Sequence, residues 1–239
     1  MKIRKNRGDE MAIFVISDLH LSFGVNKPMD IFGDKWKGYE EKIKQDWLSK
    51  VSSEDWVIIA GDFSWATYLE ESIKDFEYLN SLPGKKILLK GNHDYWWETV
   101  TKMNKFLKDN NFENIYFLHN NCIETEDYLI CGTRYWAEED EQPNEKIFNR
   151  EIERAKISLK QANKINEDRN LSGKSKKEVI MVTHYPPDNK IIDSVKEFDI
   201  KAWIYAHIHS NYEESKVKIN GINTYLTSCD YLGFKLKKL

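Results

Sequence analysis

Five of the six histidines stand in four short polar motifs, and each motif follows an apolar run. They are Asp18-Leu19-His20, Gly91-Asn92-His93-Asp94, Thr183-His184-Tyr185 and Ala206-His207-Ile208-His209. Gly61-Asp62 adds a carboxylate at the end of another such run. Carboxylate, amide oxygen and imidazole are the ligands that hard and borderline divalent cations prefer. Gathered in one place they would suit a pair of cations. Such a pair can activate a water and receive a phosphoryl oxygen at the same time.

The spacing within the motifs is informative. Asp18 and His20 are two residues apart, so on a strand they would share a face. Gly61 lacks a Cβ and lets the chain turn tightly into Asp62. His184 precedes Pro186-Pro187, which stiffen the turn. His207 and His209 again alternate by two. Taken singly, each motif also has a purely structural explanation, since Gly-Asp and Gly-Asn are ordinary turn residues. The metal reading comes from the ordered recurrence of a suitable ligand at successive strand ends. His119, in Leu118-His119-Asn120-Asn121, reads as a structural residue of a hairpin turn.

The elements that must carry these motifs follow from hydrophobic periodicity. Ala12 to Ile16, Trp56 to Ala60 and Ile87 to Leu89 read as buried strands. Between them, Ile43, Trp47 and Val51 mark one helix face, and Leu69, Ile73, Phe76 and Leu79 another, ended by Pro83-Gly84. Val100, Met103 and Leu107 predict a third helix. Ile115 to Leu118, Cys122 to Thr125 and Tyr128 to Thr133 leave no room for helices and are expected to pair as hairpins. Val179 to Val182 and Ala202 to Tyr205 are later buried strands. Asn220-Gly221 predicts a hairpin between Val217 to Ile219 and Ile222 to Thr227. The pattern implies a mixed α/β architecture, two sheets packed together with helices outside.

The segment Ala137 to Lys177 reads as a helical insertion. Phe148, Ile152, Ala155, Leu159 and Ala162 draw a narrow apolar stripe along it. A helix lying across the domain is the favoured reading. The alternative is a cap that brings Arg150 or Arg154 to a phosphate.

Composition bounds the rest. The chain has 239 residues, 41% of them hydrophobic and 13% aromatic, which suits one globular domain. A net charge of -3, with more Lys than Arg, argues against a strongly basic nucleic-acid binder. Cys122, Cys131 and Cys229 form no metal-type pair and read as buried thiols on strands in a reducing compartment. No apolar run approaches the length of a membrane span, and a cytoplasmic location is expected. Residues 1–10 are expected to be a disordered leader, and Met11 is a candidate natural start, so that the domain runs over 11–239.

The ordered set Asp-x-His, Gly-Asp, Gly-Asn-His-Asp, a lone His and a terminal x-His-x-His resembles the calcineurin-like metallophosphoesterases, from Ile13 to about Leu226. The resemblance implies a four-layer α/β/β/α sandwich of two mixed β-sheets with flanking helices. It implies one metal held by Asp18, His20, Asp62 and His209, and a second held by Asp62, Asn92, His184 and His207, with Asp62 bridging. His93 matches the family's non-ligand histidine, which contacts the phosphate and assists the leaving group. Asp94 matches the residue that orients it. One departure stands out: Ala206 occupies a position where the family usually has glycine, which puts the geometry at His207 in question if a positive φ is needed there.

The implied cofactors are two divalent ions, with manganese, iron or zinc suited to the mixed ligands. The implied chemistry is hydrolysis of a small-molecule phosphomonoester or phosphodiester. Arg134, at a strand end, is a candidate substrate clamp, with an ion pair to the acidic run Glu138 to Glu141 as its alternative. The aromatics Phe63, Trp65, Tyr95, Trp96, Trp97 and Trp136 near the motifs serve either packing or stacking of a substrate ring. Three other readings compete: a nuclease of the same fold, a metal-stabilised scaffold without catalysis, and a hydrolase of amide bonds. A nuclease would want a basic groove, and Lys clusters occur only at Lys174 to Lys177 and Lys235 to Lys238.

Overall fold

Strand β1 (Ile13–Val15) is three residues long, and all three are buried, because it lies inside a stack with a covered face on either side. Ile13 and Val15 point into the core between two sheets, and Phe14 into the core under the helices. The same division recurs in β2 (Trp56–Ile59) and β3 (Lys85–Leu89). Ile58, Ile87 and Leu89 face the second sheet, and Val57, Ile59 and Leu88 face the helices. Buried on both faces, such strands read as continuous apolar runs. The computed structural model describes residues 11–135, 145–210, 212 and 218–239. The expectations for residues 1–10, Trp136 and Glu138 to Glu141 lie outside these.

In the first sheet β1, β2, β3 and β4 (Ile115–Leu118) run parallel. They are joined through α1 (Tyr39–Lys50), α2 (Ile73–Ser81) and α3 (Val100–Asp109). A fifth strand, β11 (Lys237–Lys238), pairs antiparallel with β1. The second sheet has the order β5-β6-β7-β8-β10-β9. Its strands are β5 (Asn121–Glu124), β6 (Tyr128–Gly132), β7 (Glu178–Val182), β8 (Ile200–Tyr205), β9 (Lys218–Ile219) and β10 (Ile222–Leu226). Here β6, β7, β8 and β10 are parallel, while the edge strands β5 and β9 are antiparallel to their neighbours. Helices α4 (Glu145–Leu171) and α5 (Asn189–Ser194) cover its outer face. The layers are helix, sheet, sheet and helix, the sandwich the motifs imply.

Three expectations need correction. Only β5 and β6 form a hairpin among the three short strands. Strand β4 joins the first sheet parallel to β3 because α3 carries the chain back across the sheet. The turn at Leu118 to Asn121 therefore passes from one sheet to the other, with Asn120 left-handed at φ 57°. The helix expected from Leu69 opens instead with a 3-10 turn at Leu69–Ser72. Of the cysteines, Cys131 is buried on β6, Cys229 is buried in a turn after β10, and Cys122 is only partly buried on an edge strand.

The Asn220-Gly221 turn joins β9 and β10 with positive φ at both residues, 47° and 91°, as a two-residue hairpin loop of this type requires. Helix α4 buries Ala155, Leu159 and Ala162 against Leu129, Cys131 and Met181. It is a layer helix, as the favoured reading has it. Arg150 and Arg154 both turn to the buried Glu151 of their own helix, at 3.4 and 2.6 Å.

Candidate metal centre

The polar motifs lie where the parallel strands of both sheets end at their carboxyl termini, the usual ligand edge of open α/β sheets. Asp18 and His20 follow β1, Asp62 follows β2, and Asn92, His93 and Asp94 follow β3. His184 follows β7, and His207 and His209 follow β8. The loops of the two sheets are bonded to each other. Ser17 N–H donates to the Thr227 carbonyl at 2.7 Å, and the Ser17 hydroxyl lies 2.8 Å from that of Thr227. Asp18 N–H donates to the Gly61 carbonyl, and His20 N–H to that of Asp62.

Four of these residues have left-handed backbones: Asp18 (φ 55°), His20 (45°), Asp62 (51°) and His207 (74°). For a residue with a Cβ this costs on the order of 1 kcal/mol. The surrounding bonds hold the strain, and the turns aim the side chains at one point. Ala206 is absent from the left-handed set and its methyl is buried in the inter-sheet core. The positive φ falls on His207 itself, so alanine fits where the family usually has glycine. Gly91 cannot be replaced in this way, because a Cβ there would collide with the Asp62 carboxylate.

The side chains form two donor groups. Asp18, His20 and His209 offer atoms within 4.8 Å of one another, and so do Asp62, His184 and His207. Oδ2 of Asp62 lies 3.7 Å from Nε2 of His20 and 3.6 Å from Nε2 of His184, so one carboxylate oxygen stands between the groups. Asn92 Oδ1 lies 2.6 Å from His184 Nε2 and 3.0 Å from His207 Nδ1, which places it with the second group. All seven sequence-derived ligand candidates thus converge.

The electrostatics favour cations. Burial pushes Asp18 up to about 8, opposed by His209 and reinforced by the charge of Asp62. Burial likewise pushes Asp62 up to about 6. Oδ1 of Asp18 is buried without a hydrogen-bond partner among the described residues. A buried carboxylate with an unsatisfied oxygen gains most from a positive ion beside it. Burial, aided by neighbouring imidazoles, holds His20 and His184 well below the usual histidine range. They are therefore neutral at neutral pH, the form that ligates a metal.

A residue not anticipated from the sequence completes the first group. Asp230 Oδ1 lies 2.9 Å from Nδ1 of His209. Its Oδ2 accepts from Lys35 at 2.8 Å and from Tyr212 at 2.7 Å. Burial would raise this carboxyl, but its bonds to His209, Lys35 and Tyr212 bring it down to about 2. For His209, burial acts downward, and the Asp230 bond with the nearby carboxylates reverses it, so the net direction is up. Such a carboxylate behind a histidine fixes the ring and its tautomer. The signal was present in the sequence as one more acid just past a strand, in Ser228-Cys229-Asp230 after β10.

His93 stands beside both groups. Its N–H donates to Asp62 Oδ1 at 2.8 Å, and its ring packs 4.6 Å from Trp65 and 5.6 Å from His20. The expectation that Asp94 orients it is not met. Asp94 accepts from the backbone N–H groups of Gly91, Asp62, Phe63 and Ser64 and from the Trp96 indole. With its oxygens taken up by these donors, it braces the loops after β2 and β3, and Nδ1 of His93 has no partner among the described residues. Trp96 and Trp97 are buried packing residues, whereas Trp65 lines a cavity at the site. The Arg134 carbonyl accepts from the His184 N–H at 3.1 Å. Its guanidinium charge is felt at Asp62 and His184, although it does not line that cavity.

A double-sheet sandwich that brings carboxylate, amide and imidazole donors into two adjoining groups has the frame of a metal-dependent hydrolase. The chain matches the calcineurin-like phosphoesterase family over residues 11–211, and it belongs to that family. No curated protein sequence matches it significantly. Among solved structures it is similar to a protein of unknown function, AQ665, from Aquifex aeolicus: 18% identity, 96% of both chains covered, TM-score 0.51. It is also similar to TT1561 of Thermus thermophilus: 12% identity, 96% of this chain and 98% of that one, TM-score 0.56. At these identities the likeness establishes the fold alone. Among the described residues no helix is long and apolar enough to cross a membrane.

Proposed function

We propose that the protein hydrolyses a phosphomonoester or phosphodiester of a small molecule, using two divalent cations held by the paired donor groups. The observation that carries this reading is the position of Asp62, whose Oδ2 stands 3.7 Å from His20 and 3.6 Å from His184. Asp18, His20 and His209 would hold one ion, and Asn92, His184 and His207 the other, with Asp62 shared. Bound there, two such ions supply a water of lowered pKa and a positive seat for phosphoryl oxygens. Manganese, iron and zinc all suit this mixed oxygen and nitrogen set.

The chain's own residues do the rest. Asp62 keeps the two groups in register, and Asp230 fixes the ring of His209. In this reading His93 binds a phosphoryl oxygen and, when protonated, gives a proton to the leaving oxygen. Burial lowers its pKa while Asp62 raises it, so its proton is available only when the carboxylate or a substrate anion favours the charged ring. Arg134 adds positive charge behind His184 and favours an anionic substrate.

The test is hydrolysis of para-nitrophenyl phosphate and bis-para-nitrophenyl phosphate by metal-stripped protein, with manganese, iron or zinc restored in turn. Turnover that appears with a metal and vanishes with chelator is the expected result. Absence of turnover on both esters with every metal would remove the reading.

A further inference from the structure

A cavity of about 440 Å3 opens beside the first donor group. On its polar side are His20, Asp62, His93, His207 and His209. Its other side is apolar, made by Met29, Phe32, Trp36 and Trp65. A volume of this order is typical of sites that enclose an organic ligand, roughly 300–1,000 Å3. It is far more than a phosphoryl group fills.

The aromatic walls are fixed in place. Trp65 stacks on His20, with ring centroids 4.8 Å apart and planes at 26°, and its indole N–H donates to Sδ of Met29 at 3.1 Å. Trp36 is buried and stands edge-on to His20 at 6.4 Å. At the mouth, Phe32 is 60% exposed, and Ile31 on the same short turn is 72% exposed. Lys35 and Asp230 also line the cavity but pair with each other at 2.8 Å, and nearby Lys27 donates to the Trp65 carbonyl at 3.2 Å. This end of the site is therefore built for a flat apolar group and offers little to a second phosphate. His93, the residue placed to serve the leaving oxygen, lies on its wall.

We infer that the cavity receives the leaving alcohol of the phosphoester, and that this alcohol carries a planar, apolar ring. The inference rests on the phosphoester reading above and adds the substrate class. It is tested with phosphonates, whose carbon–phosphorus bond is not hydrolysed. Isothermal titration calorimetry of the manganese-loaded protein compares methylphosphonate, hexylphosphonate and naphthylmethylphosphonate. The naphthyl compound is expected to bind at least about tenfold more tightly than methylphosphonate, the effect of burying roughly 60 Å2 of ring surface, and more tightly than the hexyl compound. Phe32→Ser, at an exposed position, should weaken the naphthyl compound several-fold and leave methylphosphonate unchanged. Equal binding of methyl and naphthyl compounds overturns the inference alone. Equal binding of hexyl and naphthyl compounds overturns the ring assignment, and a Phe32→Ser effect common to all three overturns the location. Binding of none of them overturns both this inference and the phosphoester reading.

Discussion

The two donor groups are alike in composition and unlike in support. In the first, His209 is backed by a carboxylate, Asp230, which also holds Lys35 and Tyr212. In the second, His184 is backed by a backbone carbonyl, that of Ala60 at 2.9 Å from its Nδ1. A carboxylate makes its imidazole a more basic ligand than a carbonyl does: the Asp230 bond and nearby carboxylates overcome burial and raise His209, whereas at His184 burial and the His207 ring outweigh the Ala60 carbonyl and hold it down. His20 and His209 of the first group line the aromatic cavity, as do Asp62 and His207 of the second, while His184 is fully buried among the strand ends. A metal in the first group would therefore lean on a supporting side chain that substitution can remove, whereas the support behind His184 in the second comes from backbone.

The largest expected effect is the one that abolishes the distinction. Asp62→Asn weakens the oxygen between the groups, so both metals should be lost together and turnover should fall by at least about a thousandfold. Metal analysis beside rate measurement checks this, and loss of one metal only would mean Asp62 belongs to a single group. His93→Ala should leave both metals in place and lower turnover by roughly 10²–10⁴; a drop in metal content would reassign His93 as a ligand. Asp94→Asn should act on stability, by about 3 kcal/mol, since a carboxyl accepting from several N–H groups is replaced by an amide that brings its own donor. Denaturant melts check this, and an undisturbed midpoint with a lost pH optimum would restore Asp94 as the partner of His93. Asp230→Asn should sharpen the comparison most directly. It should weaken one metal about 10–100-fold and spare the other, read as two separated transitions in a metal titration.

The smallest effect is one of pH. The folded-state pKa of Asp18 is raised from 3.8 to about 8, so the folded chain holds a proton that the unfolded chain releases earlier. That contribution to stability is fully present below about 4 and is lost as pH rises through about 8. Asp62 and Asp94, raised to about 6 and about 7, have the same sign. Chelator-treated protein should therefore melt at lower temperature as pH rises across this window, and metal-loaded protein should not. A melting temperature of the treated protein that climbs with pH would contradict the uncompensated carboxylates.

Much of this arrangement was legible from residue types alone. The candidate ligands were visible because each follows an apolar run, and the layers because helical and strand periods alternate. What escaped had physical reasons. Strand β11 is two exposed lysines, Lys237 and Lys238, with no apolar pattern to reveal a pairing made only by backbone. Strand β4 was expected in a hairpin with the strand after it, because a tight turn reads the same whether it joins neighbours or crosses between layers. The family resemblance implied that Asp94 orients His93. Its oxygens are instead drawn to backbone N–H groups of two loops that sequence spacing does not bring together. Asp230 escaped for the converse reason: its partner His209 lies on a different strand end.

The terminal strand of the first sheet has a consequence for how the molecule comes into being. Strand β1, which leads into Asp18 and His20, gains its second neighbour only when Lys237 and Lys238 arrive, and Leu239 N–H then donates to the Ile13 carbonyl. During synthesis the earliest strand must wait, half-paired, for residues at the far end of the domain to emerge. Pairings of such long sequence separation form slowly. The backbone that leads into Asp18 and His20 therefore gains its full lateral support only once the last residues of the described chain are in place.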